Sequence, residues 1–162
     1  METLRPATVV RAGDGRRFRF PAGNHGEVGA SRESGLAFGF LRTSLPTGTG
    51  MPFLHVHRRH DEAFQILVGS VEFRLGDAYQ TAAAGDKVLI PAGVPHCFRV
   101  VSEGEASLVL MVSPADGIDA IVELASGNLF DRPWMTAVLA KYDTQLLESG
   151  PHWQAQRHVA PR

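Results

Sequence analysis

Two short turns constrain this chain more than any other feature. Gly69-Ser70 lies between the apolar-alternating runs 62–68 and 71–75, and Gly76-Asp77 between 71–75 and 78–82. Two-residue loops that begin with glycine match the right-handed twist of paired strands, so both read as tight antiparallel hairpins. In the middle run Val71, Phe73 and Leu75 alternate with Glu72 and Arg74. This is the pattern of a strand with one face in a core and the other in water. Further short runs follow at 87–90, 97–101 and 106–112, separated by Pro91-Ala92-Gly93 and by 102–105. Earlier, 17–20 and 36–41 alternate as well. Regularly spaced short strands of this kind predict an all-β sandwich or barrel.

The pattern changes after Val112. Ser113-Pro114 reads as the start of a short helix that Gly127 stops. Asp131 followed by Pro133 opens a second helix, with Trp134, Val138, Leu139 and Tyr142 at helical spacing. With 162 residues the chain is sized for one domain. The expected division is a barrel core over about 8–112, a helical extension over about 113–149 and a tail at 150–162. A net charge of −1 removes the electrostatic case for nucleic acid or an anionic membrane as partner. The amino-terminal residues carry no long apolar run, so a cytoplasmic protein is expected.

One cysteine excludes an internal disulfide and a thiolate zinc cluster, whereas seven histidines stand out. His55 and His57 sit two apart in a strand-like run, so their rings project from one face while Val56 points away. Glu62 shares parity with Phe64, Ile66 and Val68, an interior face where an acid is costly unless paired or bound to a cation. His96 shares parity with Phe98 and Val100. Three neutral imidazoles and a carboxylate directed into an apolar interior suit a divalent transition metal. The plain alternative is a set of core and surface histidines unrelated in space. Cys97, of opposite parity to His96, reads as a structural thiol facing out of the barrel or into an interface. His60 reads as a solvated loop residue, and Arg16, Arg17, Arg58 and Arg59 as solvated charge. No partner is evident for His25, His152 or His158.

The segment Gly50-Met-Pro-Phe-Leu-His55-Val-His57-Arg-Arg-His-Asp-Glu62-Ala-Phe-Gln-Ile-Leu-Val-Gly69 resembles the first motif of the cupins, G-x5-H-x-H-x4-E-x6-G. Gly85-Asp-Lys-Val-Leu-Ile-Pro91-Ala-Gly93-Val-Pro-His96 resembles the second, G-x5-P-x-G-x2-H-x3-N. Two positions depart from the pattern: four residues rather than five separate Gly50 from His55, and Val100 stands where the family often has Asn. The resemblance spans about Arg11 to Val112, and the carboxy-terminal part looks like that of quercetin dioxygenase-like single-domain cupins. It implies a double-stranded β-helix, or jelly-roll barrel, with short carboxy-terminal helices and a homodimer. It also implies His55, His57, Glu62 and His96 as metal ligands.

Four ligands leave two positions open on an octahedral ion, which favours Fe, Mn, Ni or Co, with Zn less suited. Phe38, Phe40, Phe53, Phe64, Phe98 and Met111 have parities compatible with a pocket beside the metal, which suggests an aromatic or hydrophobic small-molecule substrate. The first functional expectation is a dioxygenase acting on a flavonol-like or other enolisable aromatic compound, with Glu62 as base. The alternatives are an oxygen-independent cyclase, isomerase or lyase, and a non-catalytic small-molecule-binding cupin.

Overall fold

The computed structural model describes residues 7–148. The strands are β1 (Arg16–Arg19), β2 (His25–Ala30), β3 (Gly39–Leu45), β4 (Gly50–His57), β5 (Asp61–Val68), β6 (Ser70–Leu75), β7 (Ala78–Ala83), β8 (Lys87–Ile90), β9 (His96–Val100) and β10 (Ala106–Ser113). Two helices follow, α1 (Asp116–Ala125) and α2 (Arg132–Lys141), then a short strand β11 (Thr144–Leu146). The tail expected at 150–162 lies outside the described residues.

The strands form two antiparallel sheets in the orders β1-β2-β3-β10-β5-β8 and β11-β4-β9-β6-β7. Consecutive strands repeatedly fall in different sheets, the connectivity of a jelly roll. One of the two expected hairpins is present: Gly76-Asp77 joins the paired strands β6 and β7, whereas at Gly69-Ser70 the chain turns from β5 in one sheet to β6 in the other and the two strands do not pair. Gly69 and Gly76 adopt φ of 78° and 60°, a region that costs glycine little and other residues more. The inner faces of the two sheets meet in a core that includes Phe64, Ile66, Val71, Phe73, Leu108 and Ile118. Phe64, Phe73 and Phe98 pack edge-on or tilted at centroid distances of 5.2 to 5.6 Å.

Helix α1 lies close over the first sheet. A Cβ on Gly39 would fall 2.7 Å from Ile118 Cγ1, and one on Gly117 would fall 2.4 Å from Val112 Cγ1. Glycine at these two positions is what lets helix and sheet approach. The start of α1 differs from expectation: Ser113 donates its hydroxyl to Ala37 O rather than capping the helix, and Ala115 occupies the cap position. Asp131 caps α2 by accepting from Trp134 N at 3.1 Å, as the sequence pattern predicts.

In β3 the inward face is opposite to the one expected. Leu41, Thr43 and Leu45 point into the barrel, while Phe38 and Phe40 are each 37% exposed. Both faces of this strand are apolar enough to be buried, and the register decides between them. Leu41 pairs with the inward Leu110, and Phe40 with Met111, which is 42% exposed. Phe40 covers Gly29 instead, where a Cβ would sit 2.0 Å from the ring. Val68 also faces outward, because the β5–β10 register shifts between Ser107 and Leu108.

Candidate metal centre

His55 and His57 come from β4, Glu62 from the start of β5 and His96 from the start of β9, so three strands from both sheets converge. The β4–β9 register places His55 directly opposite His96. One ring nitrogen from each of His55, His57 and His96 falls within 4.8 Å of the others. Glu62 joins them: its Oε2 lies 3.0 Å from His96 Nε2, and its Oε1 lies 3.3 Å from His57 Nε2. His55, Glu62 and His96 are buried.

The other nitrogen of each ring is tied to an oxygen. His55 Nδ1 lies 2.9 Å from Phe53 O, His96 Nδ1 lies 2.9 Å from Val94 O, and His57 Nδ1 lies 2.7 Å from Thr144 Oγ1. A carbonyl can only accept, so Nδ1 carries the proton in His55 and His96. Thr144 donates its own hydroxyl to Tyr142 O at 3.2 Å, which leaves it an acceptor towards His57. All three imidazoles thus turn Nε2 towards one point, the arrangement in which neutral histidine binds a metal. His57 Nε2 is buried and has no hydrogen-bond partner among the described residues. An orphaned lone pair beside a buried carboxylate is the feature that a divalent cation would satisfy, so the donor set fits one.

The electrostatics agree. Burial, and then the neighbouring imidazoles of His96 and His57, push the His55 pKa well below its ordinary value and keep it neutral. Burial raises the Glu62 carboxyl, but the neighbouring imidazoles of His57 and His96 outweigh this and hold it well below the usual range. Burial lowers His96, and the Glu62 carboxylate more than compensates, leaving its pKa raised. A proton on His96 Nε2, 3.0 Å from Glu62 Oε2, competes with a cation for the same nitrogen.

Thr144 is outside any motif and has no signal in the sequence. It reaches His57 because β11 pairs with β4 in the register Thr144↔His57. Orienting partners of this kind typically change metal affinity 10–100-fold. Thr144→Val, close in shape but without the hydroxyl, is expected to weaken Co(II) binding by roughly tenfold, while Thr144→Ser restores it. Titration of the metal-free proteins with Co(II), followed by its d–d absorption, reads this directly. Equal affinities for Val and Thr would show that the contact does not orient the ring.

A cavity of about 120 Å³ runs from this cluster through the barrel. Its walls are chiefly apolar: Phe18, Phe20, Leu41, Leu45, Phe64, Phe98, Leu108 and Leu110 from the sheets, and Ala120, Ile121, Leu124, Leu129 and Leu139 from the helical region. Of the six aromatic and methionine positions expected there, Phe64 and Phe98 line it. Phe38, Phe40 and Met111 lie on the outer face, for the register reason given above. Phe53 is buried against Leu124, Met135, Val138 and Leu139 instead, because the β4–β9 ladder is interrupted between Met51 and His55 and alternation does not carry across the gap.

His60 is not a solvated loop residue. It is 1% exposed, its Nε2 lies 2.9 Å from Asp116 Oδ1, and its ring lies 5.8 Å from that of His57. Arg59 also departs from the solvated reading, pairing with both Asp116 and Asp143. Arg16 reaches Asp119 at 3.1 Å. His25 Nδ1 lies 3.0 Å from Gly23 O. Cys97 is fully buried against Leu54, and burial pushes its thiol up to about 12, which leaves it unreactive.

Residues 41–113, which contain all four candidate ligands, match the Cupin domain family model. The chain is 32% identical over 94 residues, 58% of its length, to quercetin 2,3-dioxygenase of Bacillus subtilis (strain 168). It spans 28% of the length of that curated relative. Among solved structures it is similar to KdgF from Halomonas sp. at TM-score 0.59 and 15% identity, covering 67% of this chain and 94% of that one. An RmlC-like cupin from Shewanella frigidimarina aligns at TM-score 0.56 and 16% identity, covering 68% and 93%. At these identities the two structures speak to the fold alone.

Proposed function

Starting from a chain that belongs to the cupin superfamily, we propose that it is a metal-dependent dioxygenase acting on a flavonol-like or other enolisable aromatic molecule. The observation that carries this reading is the convergence of three Nε2 atoms and Glu62 at a cavity whose remaining walls are apolar. The similarity to quercetin 2,3-dioxygenase supports the choice of reaction. A divalent ion held by His55, His57, His96 and Glu62 would supply a Lewis acid with open positions for substrate oxygen and dioxygen.

The remaining work falls to the protein. The cavity walls bind the aromatic body and exclude water from the reacting carbon atoms. Glu62, held ionised by its imidazole neighbours, takes the proton of the substrate hydroxyl at a carboxylate oxygen and so raises the electron density of the ring. Substrate is a small aromatic molecule, and the chain works as a homodimer. The outward row Phe40–Met111–Ala63–Leu89, which runs across four adjacent strands of the first sheet, supports that assembly.

Oxygen uptake by protein loaded with Fe(II), Mn(II), Ni(II) or Co(II) is expected with a flavonol substrate, and the same preparation should scatter light as a particle of twice the chain mass. Uptake no greater than that of the metal-free protein would overturn the dioxygenase reading. Turnover that persists without dioxygen would assign the site to a cyclase, isomerase or lyase instead.

A further inference from the structure

The cavity is polar at the metal cluster, and its walls also carry the polar residues Asn24 and Thr43. Thr144 also lines it, but its hydroxyl is committed to His57 and Tyr142. The Thr43 hydroxyl is likewise spent, donating to His25 O at 2.9 Å. Asn24 is different. It is 7% exposed, and its side-chain Oδ1 is buried without a hydrogen-bond partner among the described residues. Leaving such a carbonyl unsatisfied typically costs about 1–3 kcal/mol, so an orphan of this kind in a cavity wall calls for an explanation.

Its position supplies one. Asn24 immediately precedes β2, whose first residue, His25, pairs with Ser44 near the end of β3. The turn after β3 leads into Gly50, so Asn24 belongs to the Gly50 end of the barrel. The metal ligands belong to the other end: His57 closes β4, and Glu62 lies in the row of Val112 and Gly39, at the start of β3. Five strand positions separate Gly39 from Ser44, about 16 Å of extended chain. The same cavity touches Gly50 and Met51 at one end and His55, His57 and Glu62 at the other.

We propose that Asn24 is a specificity-determining residue, whose side-chain amide binds a hydroxyl at the end of the substrate remote from its metal-binding oxygen. The inference rests on the reading of this cavity as the substrate chamber. It narrows the substrate class from any aromatic molecule to an elongated one, apolar along its middle and hydroxylated at both ends. A hydroxyl suits the site because it donates to Oδ1 and can accept from the amide nitrogen. A site built to bond a hydroxyl discriminates strongly against the analogue without it, because the amide is then left unpaired again.

The test is anaerobic binding to the metal-loaded full chain, followed by ligand fluorescence, with two probes. One is unsubstituted flavonol, and the other is flavonol bearing a single hydroxyl at the far end of its pendant ring. Wild type is expected to bind the hydroxylated probe at least about tenfold more tightly. Asn24→Leu is expected to bind both alike, while Asn24→Asp, which keeps an acceptor, retains the preference. Equal binding of the two probes by wild type overturns the assignment, even if no variant folds. A preference that survives in Asn24→Leu also overturns it. Binding of neither probe overturns the flavonol reading itself, and this inference with it.

Discussion

His96→Ala is expected to carry less than roughly a tenth of the wild-type metal after exhaustive dialysis, and to show no metal-dependent oxygen uptake. His96 is the ligand that the second sheet contributes opposite His55, and its Nε2 lies 3.0 Å from Glu62. Removing it leaves two imidazoles on a single strand and a buried carboxylate without the imidazole that lies 3.0 Å from it. Metal analysis of the two purified proteins reads the effect without any knowledge of the substrate, and equal metal content would show that the cluster is not the site. Acidity should modulate the same measurement. The His96 pKa is raised above 6.5 in the metal-free fold, so the proton competes with the cation and metal content rises as the pH passes upward through that raised value. The sign for stability is opposite. The contribution of the His96–Glu62 pair to the metal-free protein is fully present on the His96 side below 6.5, and it fades as the pH rises through the raised value.

Phe73→Ala is expected to be the most damaging single truncation in the barrel, costing about 3–5 kcal/mol. Its ring is fully buried on β6, 5.2 Å from Phe64 and 5.6 Å from Phe98, and does not line the cavity. For a chain of this length that loss lowers the melting temperature by on the order of 10 °C. The protein that remains folded should keep its metal, since no ligand touches the vacated space directly. Urea denaturation gives the number, and a cost below about 1 kcal/mol would mean that the three rings do not form a single packed unit.

Most of the barrel could be read from the order of residues because its turns are chemically explicit. Gly76 announces a hairpin and Gly69 a tight turn, although that turn crosses between the sheets instead of closing a hairpin, and the spacing of His55, His57, Glu62 and His96 places four donors on interior faces. What escaped has a common cause. Phe38 and Phe40 compete with Leu41 and Leu45 for the interior of β3, and periodicity alone cannot rank two apolar faces. The choice depends on a partner strand more than sixty residues away. His60 reads as solvent-facing for the same reason, since the Asp116 that accepts it lies on a helix 56 residues further along the chain. Thr144 and Asn24 are ordinary polar residues locally and acquire meaning only where strands from distant parts of the chain meet.

The pairing of β11 with β4 carries a consequence for how this fold can be divided. Residues 41–113 contain every candidate metal ligand, so a fragment trimmed to those bounds looks chemically complete. It would nevertheless lose Thr144, the acceptor behind His57, together with the helical wall formed by Leu124, Leu129 and Leu139 and the amide of Asn24. The ligands and the surroundings that aim and enclose them are therefore encoded in different stretches of chain. Grafting the motif-bearing barrel onto another protein would transplant donors without their orientation, whereas exchanging the flanking segments between relatives offers a way to retune the pocket while leaving the donor set untouched.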